Sequence, residues 1–270
     1  MKLGKKAKIA VVAVIAVVGF LFYALVLPLI TESPPAVLIV DSGDVQVAQS
    51  PLRQASGSTQ LKEGDQAVTG KGKASVVLFG SSVVRLEENT TISLAELKAQ
   101  KGDRKVKLKQ DSGRIWNKVI KLSGVDNYQI ETPTSVATIR GTGFDSWIKD
   151  DFTSVSVVEG TVNVVEKQSG QSTDLNANQA TDVTAGLPPA VRALVEDDWI
   201  RGNKQLDEQF LLELREKIKA KYWIYLLLAK SQYKLTDQQV NEYIDAALSG
   251  RFGDQQIRAG LDQLGIEIKV

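Results

Sequence analysis

The sequence predicts a mainly β fold of the sandwich or roll type, with an N-terminal transmembrane helix and an α-helical C-terminal region. Three observations lead there. Short alternating runs of Val, Ile, Leu and Thr recur from about Val37 to Val183. Ile9 to Ile30 carries no charge. After "AGLPPA" (Ala185–Ala190) the apolar spacing changes from two to four, as at Leu206, Phe210, Leu214 and Ile218.

The N-terminal run would span roughly 33 Å as a helix, enough for a bilayer core. A cleaved signal peptide has a shorter apolar core, about 7–15 residues, and a small-x-small cleavage site. "LPLITES" offers no such site. Lys2, Lys5, Lys6 and Lys8 precede the run, and no Lys or Arg follows it until Arg53. The positive-inside rule then keeps the N-terminus cytoplasmic and sends the rest to the periplasmic or extracellular side. The expected order is a cytoplasmic tail (1–8), a single span (9–30), a proline-rich linker (31–36), a β domain (37–185) and a helical module (190–270).

Within the β region, "SVVLFGSSVVRL", "TTISL", "KVKLK", "NYQIET", "TSVSVV" and "GTVNVV" read as strands, roughly a dozen in all. Gly43, Gly113 and Gly160 each lead into an alternating run, as turn glycines with positive φ do. In the tail, "YWIYLLLA" (Tyr222–Ala229) is apolar all round and reads as a buried helical segment. Two related pieces follow, "DQQVNEYID" from Asp237 and "DQQIRAGLD" from Asp254, the first with a capping box at Thr236 and Gln239.

Composition narrows the chemistry. With 33 basic and 32 acidic residues, the chain lacks the basic excess typical of nucleic-acid binding. It has no histidine and no cysteine. The common zinc, copper and haem sites cannot be built from it, and the usual general base and thiolate nucleophile are missing. "SQYK" (Ser231–Lys234) fits the S-x-x-K pattern of serine hydrolases, but the companion elements are absent. "GDQAVTGKGKAS" has the wrong spacing for a phosphate loop. Asn89-Thr-Thr is a glycosylation sequon that matters only where the enzyme exists. Asp197-Asp198-Trp199 reads as the first turn of a helix rather than a metal site. The expectation is a protein with no catalytic, cofactor or metal site.

One basic stretch stands out, with Lys98, Lys101, Arg104, Lys105, Lys107 and Lys109. On a hairpin it could contact an anionic polymer or lipid. The plainer reading is a solvated hairpin whose lysines guard an edge.

"TPTSVATIRGTGFD" (Thr132–Asp145) joins strands through a proline turn and a Gly-x-Gly break. Arg140 is the lone cation at that corner, with a bland role in tying loop carbonyls or a carboxylate. Four elements in order resemble the FecR domain, the envelope-facing domain of bacterial iron-transport regulators. They are "LKEGDQAVTGKGKASVVLFGSSVVRLEENTTISL", "SGRIWNKV", "TPTSVATIRGTGFD" and "TSVSVVEGTVNVV". The resemblance implies an all-β domain without catalysis. It makes Thr132, Pro133, Ala137, Arg140, Gly141, Thr142 and Phe144 a structural signature. Classical members carry a long cytoplasmic segment that holds a sigma factor, whereas eight residues precede the span here. The expected function is therefore a membrane-anchored binding or scaffolding module with an envelope or membrane protein as partner. Transmembrane signalling of the FecR type, as an anti-sigma regulator or sensor, is the alternative, and polyanion binding a further one.

Overall fold

A computed structural model describes residues 34–248, apart from 49–51, 101–102, 121–124, 140, 222, 224–225, 228–229 and 232–233. The expected span Ile9–Ile30 and the second tail repeat from Asp254 lie outside the described residues. Among the described residues, no helix is long and apolar enough to cross a membrane.

Among the described residues sixteen strands form one sheet. They are β1 (Ala36–Ala48), β2 (Leu52–Gln54), β3 (Ser58–Gln60), β4 (Gln66–Leu78), β5 (Ser82–Leu86), β6 (Thr91–Lys98), β7 (Arg104–Ser112) and β8 (Arg114–Lys118). There follow β9 (Val125–Glu131), β10 (Ser135–Ile139), β11 (Gly143–Ile148), β12 (Phe152–Glu159), β13 (Thr161–Glu166), β14 (Ser172–Asn176), β15 (Gln179–Thr184) and β16 (Ala190–Ala193). The spatial order is β14-β13-β10-β9-β7-β6-β4-β5-β8-β11-β12-β15-β16, with β1 along β4 and β2 and β3 paired to β1. β14 at one end of this path lies beside β15 and β16 at the other, so the sheet curls nearly closed. The fold is thus a barrel-like roll, and curling covers the edges that a flat sheet would leave open.

β4 makes the curl possible. Its C-terminal half pairs with β5 (Ala74↔Leu86 to Leu78↔Ser82) and its N-terminal half with β6 (Gln66↔Ser93 to Val68↔Thr91). β1 follows β4 along its length with register shifts around Ser42 and Gly43, the bulge that lets two long strands bend together. Inside lies one apolar cluster drawn from alternate residues. It includes Leu38, Val76, Leu86, Ile92, Leu108, Ile115, Tyr128, Phe144 and Val164.

The strands outnumber the sequence reading because β2, β3 and β16 are three or four residues long and carry little periodic signal. β16 also moves the end of the β region. The sequence places that end before the proline pair at Pro188–Pro189, yet Ala190–Ala193 pairs antiparallel with β15.

Among the described residues two helices follow, α1 (Asp198–Lys221) and α2 (Asp237–Leu248). The capping box at the start of α2 is present. Gln239 N donates to Thr236 Oγ1 at 3.2 Å, and Thr236 N donates to Gln239 Oε1 at 2.9 Å. Val240, Ile244 and Leu248 of α2 pack with Leu214 of α1 and with Ile120, which follows β8. The expectation for Tyr222–Ala229 needs correction. Leu226 does pack on this cluster, but Trp223 and Leu227 are 60% and 57% exposed. Among the described residues of the segment, an all-round apolar sequence therefore does not mean burial all round.

Candidate functional site

The strands β5, β8 and β11 are neighbours at the middle of the sheet, and their burial does not alternate. Every residue of Ser82–Leu86 is buried, as are Ile115 to Lys118 and Gly143 to Ser146. Strands covered on both faces behave this way. Val84, Leu86, Ile115 and Phe144 face the core. Arg85, Trp116 and Asp145 face outward, where α1 covers them.

The register aligns those outward residues. Arg85 is paired with Trp116, and Trp116 with Asp145, so the three stand in one row across three strands. Arg114 lies two residues before Trp116, on the same face. α1 and the turn before it supply the other half. Asp207 accepts from Arg85 Nη1 at 2.5 Å and from Trp116 Nε1 at 3.0 Å. Arg114 binds Asp145 through Nε and Nη2, at 2.9 and 3.0 Å, and reaches Asp197 through Nη1 at 2.6 Å. Trp199 Nε1 donates to Asp145 Oδ1 at 2.9 Å. The Arg114 guanidinium also lies 4.5 Å from the Trp147 ring centroid and 5.8 Å from that of Trp199, within cation–π range.

The helix start is built for this place. Asp197 is the N-cap, accepting from Ile200 N at 2.9 Å with the carboxylate oxygen that Arg114 does not use. The sequence reading of Asp197-Asp198-Trp199 as a helix start holds. The buried residues of α1 are Ile200, Asn203, Asp207 and Leu214. They follow the three-, four- and seven-residue spacing of one helical face. Two of the four are polar.

Burial governs the titration of the two inner carboxyls. Asp145 is 2% exposed, and desolvation pushes it up to about 6 despite its bonds from Arg114 and Trp199. Desolvation raises Asp207 as well, against the pull of Arg85, Lys118 and Trp116. At the rim Asp197 is lowered. Desolvation is the largest single influence on it, but the bonds from Arg114 and the Ile200 amide together outweigh that cost.

The signature residues sit elsewhere. Thr132 is buried at the β9–β10 turn, where its Oγ1 accepts from Ser135 N at 3.0 Å and from Thr153 Oγ1 at 3.0 Å. Pro133 is exposed beside it. Ala137 and Phe144 are core residues. Gly141 has a φ of 63°, and its carbonyl lies against Gly160, whose φ is 82°. Gly143 is not left-handed; it begins β11 opposite Lys118. Thr142 is buried beside this corner, and its Oγ1 has no hydrogen-bond partner. Arg140 lies outside the described residues. The described signature residues are thus divided between the two ends of β10 and the core.

The basic stretch is scattered among carboxylates. Lys105 pairs with Asp103 at 3.0 Å, Lys107 with Glu131 at 2.8 Å and Lys109 with Asp111 at 2.8 Å. Arg104 stacks 4.9 Å from the Phe79 ring, and Lys101 lies outside the described residues. Among the described residues, no group of three acidic side chains is placed to hold a metal ion.

Sequence reasoning did not find Arg85, its partner Asp207, or the pairing of Arg114 with Asp145. The signals were present. An arginine interrupts the apolar run Val83–Leu86, and Asn203 and Asp207 fall on the helical face that Ile200 and Leu214 define.

Residues 65–163 match the family model described as FecR protein. Arg85, Arg114, Trp116 and Asp145 fall inside that segment, whereas Asp197, Trp199 and Asp207 lie beyond it. Two crystal structures of a candidate anti-sigma factor from Parabacteroides distasonis are similar at 21% identity and a TM-score of 0.38. The likeness covers 48% of this chain and 58% of that one, so the chain spans under two thirds of that protein's length. It is too distant to carry an argument about function. No curated protein matches the chain.

Proposed function

Starting from a chain whose residues 65–163 form a FecR domain, we propose that it is a non-catalytic recognition module. Ile9–Ile30 anchors it in the membrane as a single span. The β domain and the helices lie outside the cytoplasm and bind another envelope or membrane protein. One observation carries the non-catalytic part of this reading. The two buried carboxyls on the outer face, Asp145 and Asp207, are each held by an arginine and a tryptophan beneath α1. Neither faces an open cleft in which it could work as acid or base.

The FecR match favours a second reading, in which binding outside the membrane is signalled inward. Both readings are separated by cross-linking on intact cells, followed by identification of what co-purifies with the full chain. Capture of envelope or membrane proteins alone supports a scaffold. Capture of a cytoplasmic sigma factor supports signalling. Capture of neither overturns the recognition reading. The basic hairpin draws no comparable support, because Lys105, Lys107 and Lys109 each sit beside a carboxylate.

A further inference from the structure

α1 docks by the side that helices usually turn to water. An amphipathic helix ordinarily buries its apolar stripe. Here Asn203 and Asp207 are 2% and 6% exposed, while Leu206 and Leu212 are 47% and 52% exposed. Ile200 is the buried apolar residue of α1 between these polar anchors and the helix start. Beside buried Ile200, the attachment to β5, β8 and β11 carries two arginines, two tryptophans, three aspartates and Asn203, whose Oδ1 lies 3.5 Å from Arg85 Nη1. Its pairs are Arg85–Asp207, Trp116–Asp207, Arg114–Asp197 and Trp199–Asp145.

Such a seam is specific but exchangeable. A buried ion pair gains little over its desolvation cost, yet leaving one partner unpaired is costly. Arg85, Trp116 and the Arg114 Nη1 that Asp145 does not engage thus demand a carboxylate-bearing occupant without demanding this one. A helix from another protein that offers an N-cap Asp and a second Asp ten residues later, as Asp197 and Asp207 do, meets the same demand.

We propose that the outer face of β5, β8 and β11 is a recognition slot for a helix with an N-cap aspartate and a second aspartate ten residues on, filled in cis by α1, and that a partner's helix with the same aspartate pair binds by displacing it. The inference rests on the reading of the chain as a recognition module. That reading is tested separately by the cellular cross-linking, so one can fail without the other.

The test uses the full chain and a labelled peptide of residues 195–221, which carries both aspartates, as the helix probe. Fluorescence anisotropy measures peptide binding to the wild type, to Trp199→Phe and to the double variant Asp197→Ala/Asp207→Ala, which removes the acceptors of Arg114, Arg85 and Trp116. Hydrogen exchange follows α1 and the three strands in each. Since a slot occupied in cis lowers the apparent affinity by its free fraction, the double variant should bind the peptide at least about tenfold more tightly than wild type. Trp199→Phe, which removes one hydrogen bond, should fall between. Exchange should quicken in α1 and stay slow in β5, β8 and β11. A peptide that binds the variants no better than wild type overturns the proposal. So does loss of protection in the strands together with α1, because the helix would then be part of the domain's core rather than an exchangeable occupant.

Discussion

Gly143 pairs with Glu159, the residue before Gly160, so the two glycines share one corner, yet they respond differently to a methyl group. Gly160 has a φ of 82°, and a Cβ there would meet the Gly141 carbonyl oxygen at 2.5 Å. Gly143 lies outside the left-handed region, and the nearest neighbour of its Cβ would be Trp116 at 3.7 Å, an ordinary contact. Gly160→Ala should therefore lower stability by about 1–3 kcal/mol, the usual cost of a strained left-handed residue. Gly143→Ala should change it by less than about 1 kcal/mol. Urea unfolding midpoints of the two variants check the contrast. The sequence marks Gly160 as a turn glycine with positive φ, which its φ of 82° bears out; Gly143 stands in a Gly-x-Gly break, where only its pairing in β11 shows that it needs no such angle. Arg85 shows the same limit. An arginine within Val83–Leu86 signals a face that is not plain core, but nothing local names Asp207, more than a hundred positions away, as its partner.

The elements divide by the range of the forces that make them. β4 with β5, β6 with β7 and α2 with its capping box are local, and periodicity and turn chemistry make them legible in the sequence. Thr236→Ala should cost about 1 kcal/mol, the typical worth of an N-cap side chain, and should quicken hydrogen exchange in α2 while leaving the strands unchanged. Exchange equally fast in wild type and variant would show that the capping bonds contribute nothing. β16 and the polar docking of α1 are not local. β16 is four residues long and follows a proline pair, so it exists because β15 presents an edge. α1 looks in isolation like a helix whose leucines should be buried, which is the wrong face near the strands. Two aspartates set the docked face there, and the leucine stripe matters only farther along, where Leu214 meets Val240 and Ile244.

For the whole molecule, the carboxyls predict how stability depends on pH. Asp145, raised to about 6, and Asp207, also raised, hold protons more tightly folded than unfolded. Their contribution is complete below the unfolded carboxyl range near 4 and is lost as pH rises through about 6. Glu131, held by Lys107 and Lys167, and Glu166, held by Ser169 and the Gln168 and Ser169 amides, are lowered to about 2. Their contribution is present above about 4.5 and is lost as pH falls toward 2. The urea midpoint should therefore rise as pH falls from about 7 to about 5, then drop below about 4. Asp145→Asn should flatten the upper limb alone. A wild-type midpoint that falls steadily from about pH 7 to about pH 4 would contradict the assignment of these groups.

The central claim is that α1 and the β domain form one docked unit through the Arg85, Arg114 and Trp116 seam. The absence of native cysteine makes it directly measurable. Spin labels at Glu88→Cys and Glu208→Cys, both exposed positions, report the distance between the strand face and α1 in the full chain by pulsed electron resonance. The account predicts a single narrow distance in the wild-type background that broadens when Asp197→Ala and Asp207→Ala are added. A broad distribution in the wild-type background, or a narrow one that the two substitutions leave untouched, would contradict it.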